Sequence, residues 1–395
     1  MHRLLLTLAI VSAISLTATS SSARADSSPD LNAIAKNVTQ IAGVKENQII
    51  LLTSDPTNFP FLEDLAIQIR AAGAFPLIWV TSDEYNRRMY SEVPAKYDSQ
   101  SPLLAAGLFK MVDMAINVDF GGDQDYNFFA SADQARLAAQ AKTFVPIQQA
   151  FLSANKRALE IGNGIFPNPP NAALFGVGQA ALSQAFWNAM NVDTAKVQAN
   201  AAKVSAAVTG ASTMRVTNPN GTDISFDVKG VHTIVSAGTI QPDCKAANCI
   251  ISLPAGDIFF IPVAGTANGK IVFDNAFWGK DVLKNLTLMI SSGKIVGMTS
   301  SSDLTKLKAA YDAGGNGRDQ LTLADIGVND AVKDIPGSAM TASFASGSIS
   351  FGFGGNLGAG GTNSSPFAFF ATQPGSTVAI DGKPLVTNGA LALSP

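Results

Sequence analysis

Gln48–Val80 reads QIILLTSDPTNFPFLEDLAIQIRAAGAFPLIWV, and its two apolar runs decide the fold. Gln48–Thr53 and Phe75–Val80 are short, aliphatic and β-branched, and bounded by turn formers, which predicts buried strands. Between them, Phe61–Ala72 has helical spacing, with Glu63 and Asp64 in its first turn and Gly73 at its end. Strand, helix, strand in that order implies a parallel pair covered by the helix. The pattern extends to helices at Leu31–Ala42 and Ser101–Lys110 and to strands at Met114–Val118 and Lys156–Gly162. Two long helices, Ala172–Met190 and Asp193–Val208, follow.

Near Gly210 the pattern changes. Met214–Thr217 and Asp223–Val228 flank Asn218-Pro219-Asn220-Gly221-Thr222, a hairpin signal in which Asn220-Gly221 suits positive φ. Further strands are expected at Asp257–Val263, Lys270–Phe273, Leu286–Ser291 and Lys294–Met298, with the main helix of this half at Asp303–Ala313. The glycine-rich tail is expected to be ordered, because Ile349, Phe351 and Phe353 alternate with Ser348, Ser350 and Gly352. The expected architecture is an α/β N-terminal domain with a largely parallel sheet (26–209), followed by a strand-rich α+β C-terminal domain (210–395).

Residues 1–25 read as a secretory signal peptide: Arg3, the apolar Leu4–Ala18, then the small-x-small site Ala23-Arg24-Ala25. The expected location is the periplasm or the outside of the cell, with cleavage near Ala25. The mature chain contains no apolar stretch long enough to span a bilayer. About 370 residues remain, enough for two domains. The full chain's hydrophobic content of 47% against 14% charged supports a well-buried core and argues against disorder. A net charge of −3 with no basic cluster argues against nucleic acid as a partner. Cys244 and Cys249 in an exported chain predict a local disulfide, with two free buried thiols as the alternative. No second Cys/His pair completes a zinc site.

Nucleotide and nucleophile motifs are missing. Gly121-Gly122-Asp123 follows a strand, but no Gly-x-Gly-x-x-Gly or Gly-Lys-Ser/Thr completes it, so a turn is the better reading. Gly354-Gly355-Asn356-Leu357-Gly358 lacks a strand-to-helix setting. There is no Gly-x-Ser-x-Gly elbow, and His232 in Val231–Val235 reads as a structural histidine.

Three segments in order resemble a known family: Leu253-Pro254-Ala255-Gly256-Asp257-Ile258-Phe259-Phe260-Ile261-Pro262, Arg318-x-x-Leu321-x-Leu323-Ala324-Asp325-Ile326-Gly327-Val328-Asn329, and Gly360-Gly361-Thr362-Asn363-Ser364-Ser365-Pro366-Phe367. With Phe186–Asp193 and Asn220–Ile224 upstream, they are similar to the aminopeptidase T / aminopeptidase S family of metallo-aminopeptidases. The resemblance implies two close divalent metals, carboxylates that bridge them, histidines that fix geometry, and an activated water. It also implies a homodimer.

Carried over residue by residue, the resemblance puts the family's ligand places at Asp257, Asp325, Ser350, Ala368 and Phe370. Two keep an acid one methylene shorter than the family's Glu. Ser350 stands for a histidine, and Ala368 and Phe370 stand for a His-x-Asp pair. A family tyrosine has no counterpart around Leu357. A related branch of iron-dependent pyridine-ring dioxygenases carries a serine at one ligand place, but it also uses the His-x-Asp pair.

Beyond the leader the chain keeps a single histidine, His232. The expectation is a protein on an aminopeptidase frame that has lost two-metal chemistry and binds a peptide, a small molecule or a partner. No resident cofactor is expected, and no catalytic residue is assigned. A former pocket near Phe351, Phe353 and Phe367 is one reading; plain core packing of these rings is the preferred one. The competing function is an active metal-dependent aminopeptidase using Asp257 and Asp325, which as oxygen donors would suit a weakly held Mg²⁺ or Ca²⁺.

Overall fold

The computed structural model describes residues 29–119, 154–239, 249–333, 335–356 and 359–392, with isolated residues between 133 and 151 and Cys244. The leader 1–25, Gly121-Gly122-Asp123, Leu357 and Gly358 lie outside the described residues. The chain forms two compact units, residues 1–162 with 240–250, and residues 163–239 with 251–395.

The first unit runs α1 (Leu31–Ile41), β1 (Ile49–Ser54), α2 (Phe59–Ala71), β2 (Phe75–Val80), α3 (Asp83–Glu92), α4 (Leu103–Met111), β3 (Met114–Val118) and β4 (Arg157–Ile161). β1 pairs in parallel with β2 and β3, and β3 with β4, which gives the order β2-β1-β3-β4. Leu51, Ala115 and Ala158 pack on one face with Phe109, Val112, Ile147 and Phe151.

Helix α2 starts at Phe59, two residues before the expected start. Pro60 sits in its first turn, where the missing N–H has no partner to lose. Glu63 and Asp64 therefore fall beyond the first turn. Helix α3 has no apolar stripe to announce it. Ser82 Oγ accepts from Tyr85 N at its start, and the Arg87–Glu84 and Arg88–Glu92 pairs run along it. Cys244 and Cys249 are disulfide-bonded, with α-carbons 5.1 Å apart.

The second unit holds α5 (Pro169–Phe175), α6 (Gln179–Met190), α7 (Thr194–Thr209), β5 (Thr213–Thr217), β6 (Asp223–Asp227), β7 (Thr233–Ser236), β8 (Ile250–Leu253, from its second residue), β9 (Asp257–Phe260), β10 (Asn268–Trp278), β11 (Asp281–Ser291), β12 (Lys294–Thr299), α8 (Thr305–Ala313), β13 (Leu321–Gly327), β14 (Ile349–Gly354), β15 (Ala368–Gln373), β16 (Thr377–Ile380), β17 (Lys383–Thr387) and β18 (Ala390–Leu391). The single helix expected over Ala172–Met190 is two. Gly176 ends α5 in the left-handed conformation (φ 69°), which glycine adopts without steric cost. The change of pattern near Gly210 falls inside this unit, because Val197, Ala201, Val204 and Val208 of α7 are buried in its core.

Two sheets share that core. One has the order β12-β11-β10-β6-β5-β16-β17-β18, the other β15-β14-β13-β9-β7. The expected hairpin joins β5 and β6 with Val216 opposite Ile224 and Met214 opposite Phe226. Of its turn residues only Gly221 takes positive φ (103°). Phe226 and Phe273 from the larger sheet meet Phe351 edge-on at 6.5 and 6.4 Å, and Phe273 meets Phe369 at 6.2 Å. The alternation in the tail thus faces Phe351 and Phe353 into this core, where both are fully buried.

Candidate functional site

The second face of the smaller sheet, away from the aromatic core, carries the residues that the sequence singled out. Side chains alternate along a strand, so Ile258, Phe260, Ala324, Ile326, Phe351 and Phe369 face the core, and Asp257, Asp325, Ser350, Ala368 and Phe370 face outward. Asp325 lies opposite Phe259 on β9 and Ser350 on β14. Asp257 lies opposite Gly327, two residues from Asp325. The two acids are therefore diagonal neighbours, roughly 7–8 Å apart at the backbone and within side-chain reach.

Hydroxyls surround the pair. Ser236, opposite Asp257 on β7, donates to Asp257, and Ser350 donates to Asp325. Ser343, from the segment between β13 and β14, bonds to both acids. The Ser350 and Thr372 hydroxyls lie 3.0 Å apart. Asp325 is 2% exposed, and the Oδ1 atom of each acid is buried without a hydrogen-bond partner. Burial pushes the Asp257 carboxyl up to about 6. Burial also holds Asp325 well above the carboxylate range, reinforced by the charge of Asp257. Two buried like charges this close cannot both ionise cheaply.

Gly327 keeps the Ser343 segment tight on the sheet. A Cβ at Gly327 would meet Ala345 O at 2.0 Å and Ser343 O at 2.4 Å. Gly347 N donates to Gly327 O, and Gly327 N to Ser348 O.

The former His-x-Asp end of the face is open. Thr372, not Phe370, is the residue opposite Ser350; Phe370 stands opposite Gly352, and Ala368 opposite Gly354. Ala368 is exposed, and Phe370 is 44% exposed. His232 is exposed and four residues from Ser236, about 13 Å along an extended chain from the neighbour of Asp257.

Phe351, Phe353 and Phe367 do not line this face. The first two are in the core. Phe367 stacks on Trp278 at 5.7 Å and meets Tyr311 edge-on at 5.4 Å. Strand alternation sends Phe351 and Phe353 to the other side of β14, and Phe367, just before β15, packs into the same core cluster.

The quoted motifs are largely backbone clamps. Buried Asn329 donates to Ala255 O at 2.7 Å, fixing the turn before Asp257. Asn363 donates to Gly317 O, Asn356 to Thr322 O, and Ser365 to Gly314 O. Asn220 and Thr222 both donate to Val272 O. Ser236, Ser343 and Thr372 carry no motif and were not readable from the sequence. They become neighbours of the acids only through strand register and one connecting segment.

The donor set here is two carboxyls and several hydroxyls, with no imidazole. Among the described residues no group of three or more His, Cys, Asp or Glu could hold a metal ion. The residues present do not fit a pair of transition-metal ions, which needs more ionised or imidazole donors.

The profile of the thermophilic metalloprotease (M29) family matches residues 29–317, and the chain belongs to that family. Its fold is similar to wild-type AmpT from Thermus thermophilus, with a TM-score of 0.68 at 16% identity over 92% of this chain and 98% of that one. It is also similar to 2,5-dihydroxypyridine dioxygenase from Pseudomonas putida KT2440, with a TM-score of 0.58 at 12% identity over 92% and 97%. A search of curated protein sequences found no match. At these identities the two likenesses describe the fold, a parallel sheet with helices followed by antiparallel sheets.

Proposed function

We propose that this chain is an exported member of the M29 family that has lost two-metal peptidase activity and works as a binding or interaction protein, assembled as a homodimer. The observation that carries the reading is the donor set around Asp257 and Asp325. Serine and threonine hydroxyls tie up part of the pair, the Ser343 segment covers it, and Ala368 and Phe370 contribute no ligand atoms.

The test is metal content and turnover of the purified mature chain with zinc, cobalt, manganese or magnesium and a panel of aminoacyl substrates. The expected result is neither stoichiometric metal nor turnover. Turnover that disappears in Asp257→Ala would overturn the reading. The buried, unpartnered Oδ1 atoms favour a second reading, a hard cation held by the two acids. Calorimetry with Mg²⁺ and Ca²⁺ tests it, and absence of binding rejects it. Light scattering of the mature chain tests the dimer.

A further inference from the structure

Four residues of the first unit fall in one row across its parallel sheet. Trp79 on β2 is opposite Thr53 on β1, Thr53 is opposite Asn117 on β3, and Asn117 is opposite Glu160 on β4. Residues opposed in parallel register point to one face. Here it is the face of Leu51, Ala115 and Ala158, and the row lies two residues further toward the carboxyl ends of the strands. Open α/β sheets receive ligands at that end. Position alone decides nothing; the chemistry of the row does.

Thr53 Oγ1 donates to Asn117 Oδ1 at 2.6 Å, which orients the amide and leaves Nδ2 to be satisfied. Asn117 is 3% exposed, and among the described residues its Nδ2 has no partner; Trp79 Nε1 is buried and has none among them either. A buried donor left unmade costs about 1–3 kcal/mol, and native interiors keep few of them. Two unmade donors in one row call for an acceptor. On the other side of Asn117, Glu160 brings a carboxyl that burial raises to about 7. The rim beside the row is fixed in place: Ser54 Oγ donates to Val118 O at 3.0 Å, Asn58 Nδ2 donates to Ser54 Oγ at 3.0 Å, and the chain leaves β3 through Asp119 at φ 56°. A non-glycine residue in that conformation is the kind of local strain found beside functional sites.

The row contains no cation, and an ionised Glu160 repels anions, so phosphate and carboxylate groups suit it poorly. The segment after β1, residues 55–58, has no glycine to admit a pyrophosphate. What fits is an uncharged group with an acceptor beside a donor. We propose that Trp79, Thr53, Asn117 and Glu160 form a binding site for a small neutral amide, whose carbonyl accepts from Asn117 Nδ2 and Trp79 Nε1 and whose N–H donates to Glu160. This site belongs to the first unit and stands whatever the fate of the acid pair.

The test is an NMR titration of the ¹⁵N-labelled mature chain with N-acetylalaninamide, and with inorganic phosphate as the contrast. Trp79→Phe assigns the indole N–H resonance. That resonance is expected to shift saturably with the amide in the millimolar range and not to respond to phosphate. Asn117→Leu is expected to weaken binding roughly tenfold or more, a loss of about 1.4 kcal/mol. Thr53→Val, which removes only the hydroxyl that orients Asn117, serves if Asn117→Leu does not fold, and is expected to weaken binding as well. An indole resonance that stays fixed in the presence of the amide overturns the proposal and leaves ordered water as the occupant. So does an equal response to phosphate, or binding unchanged in the folded variant.

Discussion

Asp257 and Asp325 stand diagonally across the β9–β13 pair, each with a buried Oδ1 that no hydrogen bond reaches. The pair is a liability at neutral pH. A carboxyl whose folded pKa lies above its unfolded value near 4 binds more protons when folded. Stability is therefore present in full below that unfolded value and falls as pH rises toward the folded one.

For Asp257 that window runs from 3.8 to about 6. Asp257→Asn, a neutral isostere, is expected to match the wild type below the window and to exceed it above. The gain is on the order of 1–3 kcal/mol. Urea midpoints measured on both proteins at several pH values check this. Parallel curves would show that the pair carries no pH-dependent cost.

Asp98 has the opposite sign. The Arg136 guanidinium holds its carboxyl below the usual range, through contacts of 2.6 and 3.0 Å, and Gln140 adds a third at 3.0 Å. A depressed pKa gives stability that is present above the unfolded value and is lost as pH falls. Asp98→Ala is expected to lower stability at pH 7 and to flatten the acid limb of the stability curve, read by thermal melts.

Phe351 joins the two sheets of the second unit by touching Phe226 and Phe273. Phe351→Ala is expected to destabilise by about 3–5 kcal/mol, the transfer loss plus the cavity left behind. Conservative Phe351→Leu should recover most of it. Chemical denaturation of both variants measures the difference.

Cys244→Ser with Cys249→Ser removes a crosslink across five residues of chain. A loop this short contributes roughly 2 kcal/mol by restricting the unfolded chain. The expected change is a modest fall in melting temperature, equal to the fall that reduction causes in the wild type.

The sequence was most legible where a strand is a bounded apolar run. Phe75–Val80 and Met114–Val118 are observed as read. It was less legible at Ala172–Met190, where the Gly176-Val177-Gly178 interruption sits between two apolar stretches that read as one helix. Helix α3 escaped because its evidence is a serine cap and two ion pairs, not an apolar stripe. Of the outer-face residues, the acids and Ser350 were legible through the family resemblance, and Ser236 and Ser343 were not. Ser236 and Thr372 reach the site by cross-strand register, which a linear reading does not contain. The same holds for Trp79 and Glu160, which lie 81 positions apart and share a row only because β1 and β3 run between their strands.

Gly327 sets how closely backbone can approach the acid pair. Backbone, not side chain, closes the face here: the absent methyl at 327 is the space in which the carbonyls of Ser343 and Ala345 rest. Any larger residue would lift that segment and let water reach Asp257 and Asp325. One substitution at a residue that is not itself a ligand place would thus convert a proton-holding pair into a more hydrated, ionised one. The present state of these carboxyls is enforced by a shape, and it could be reversed without altering a single donor atom.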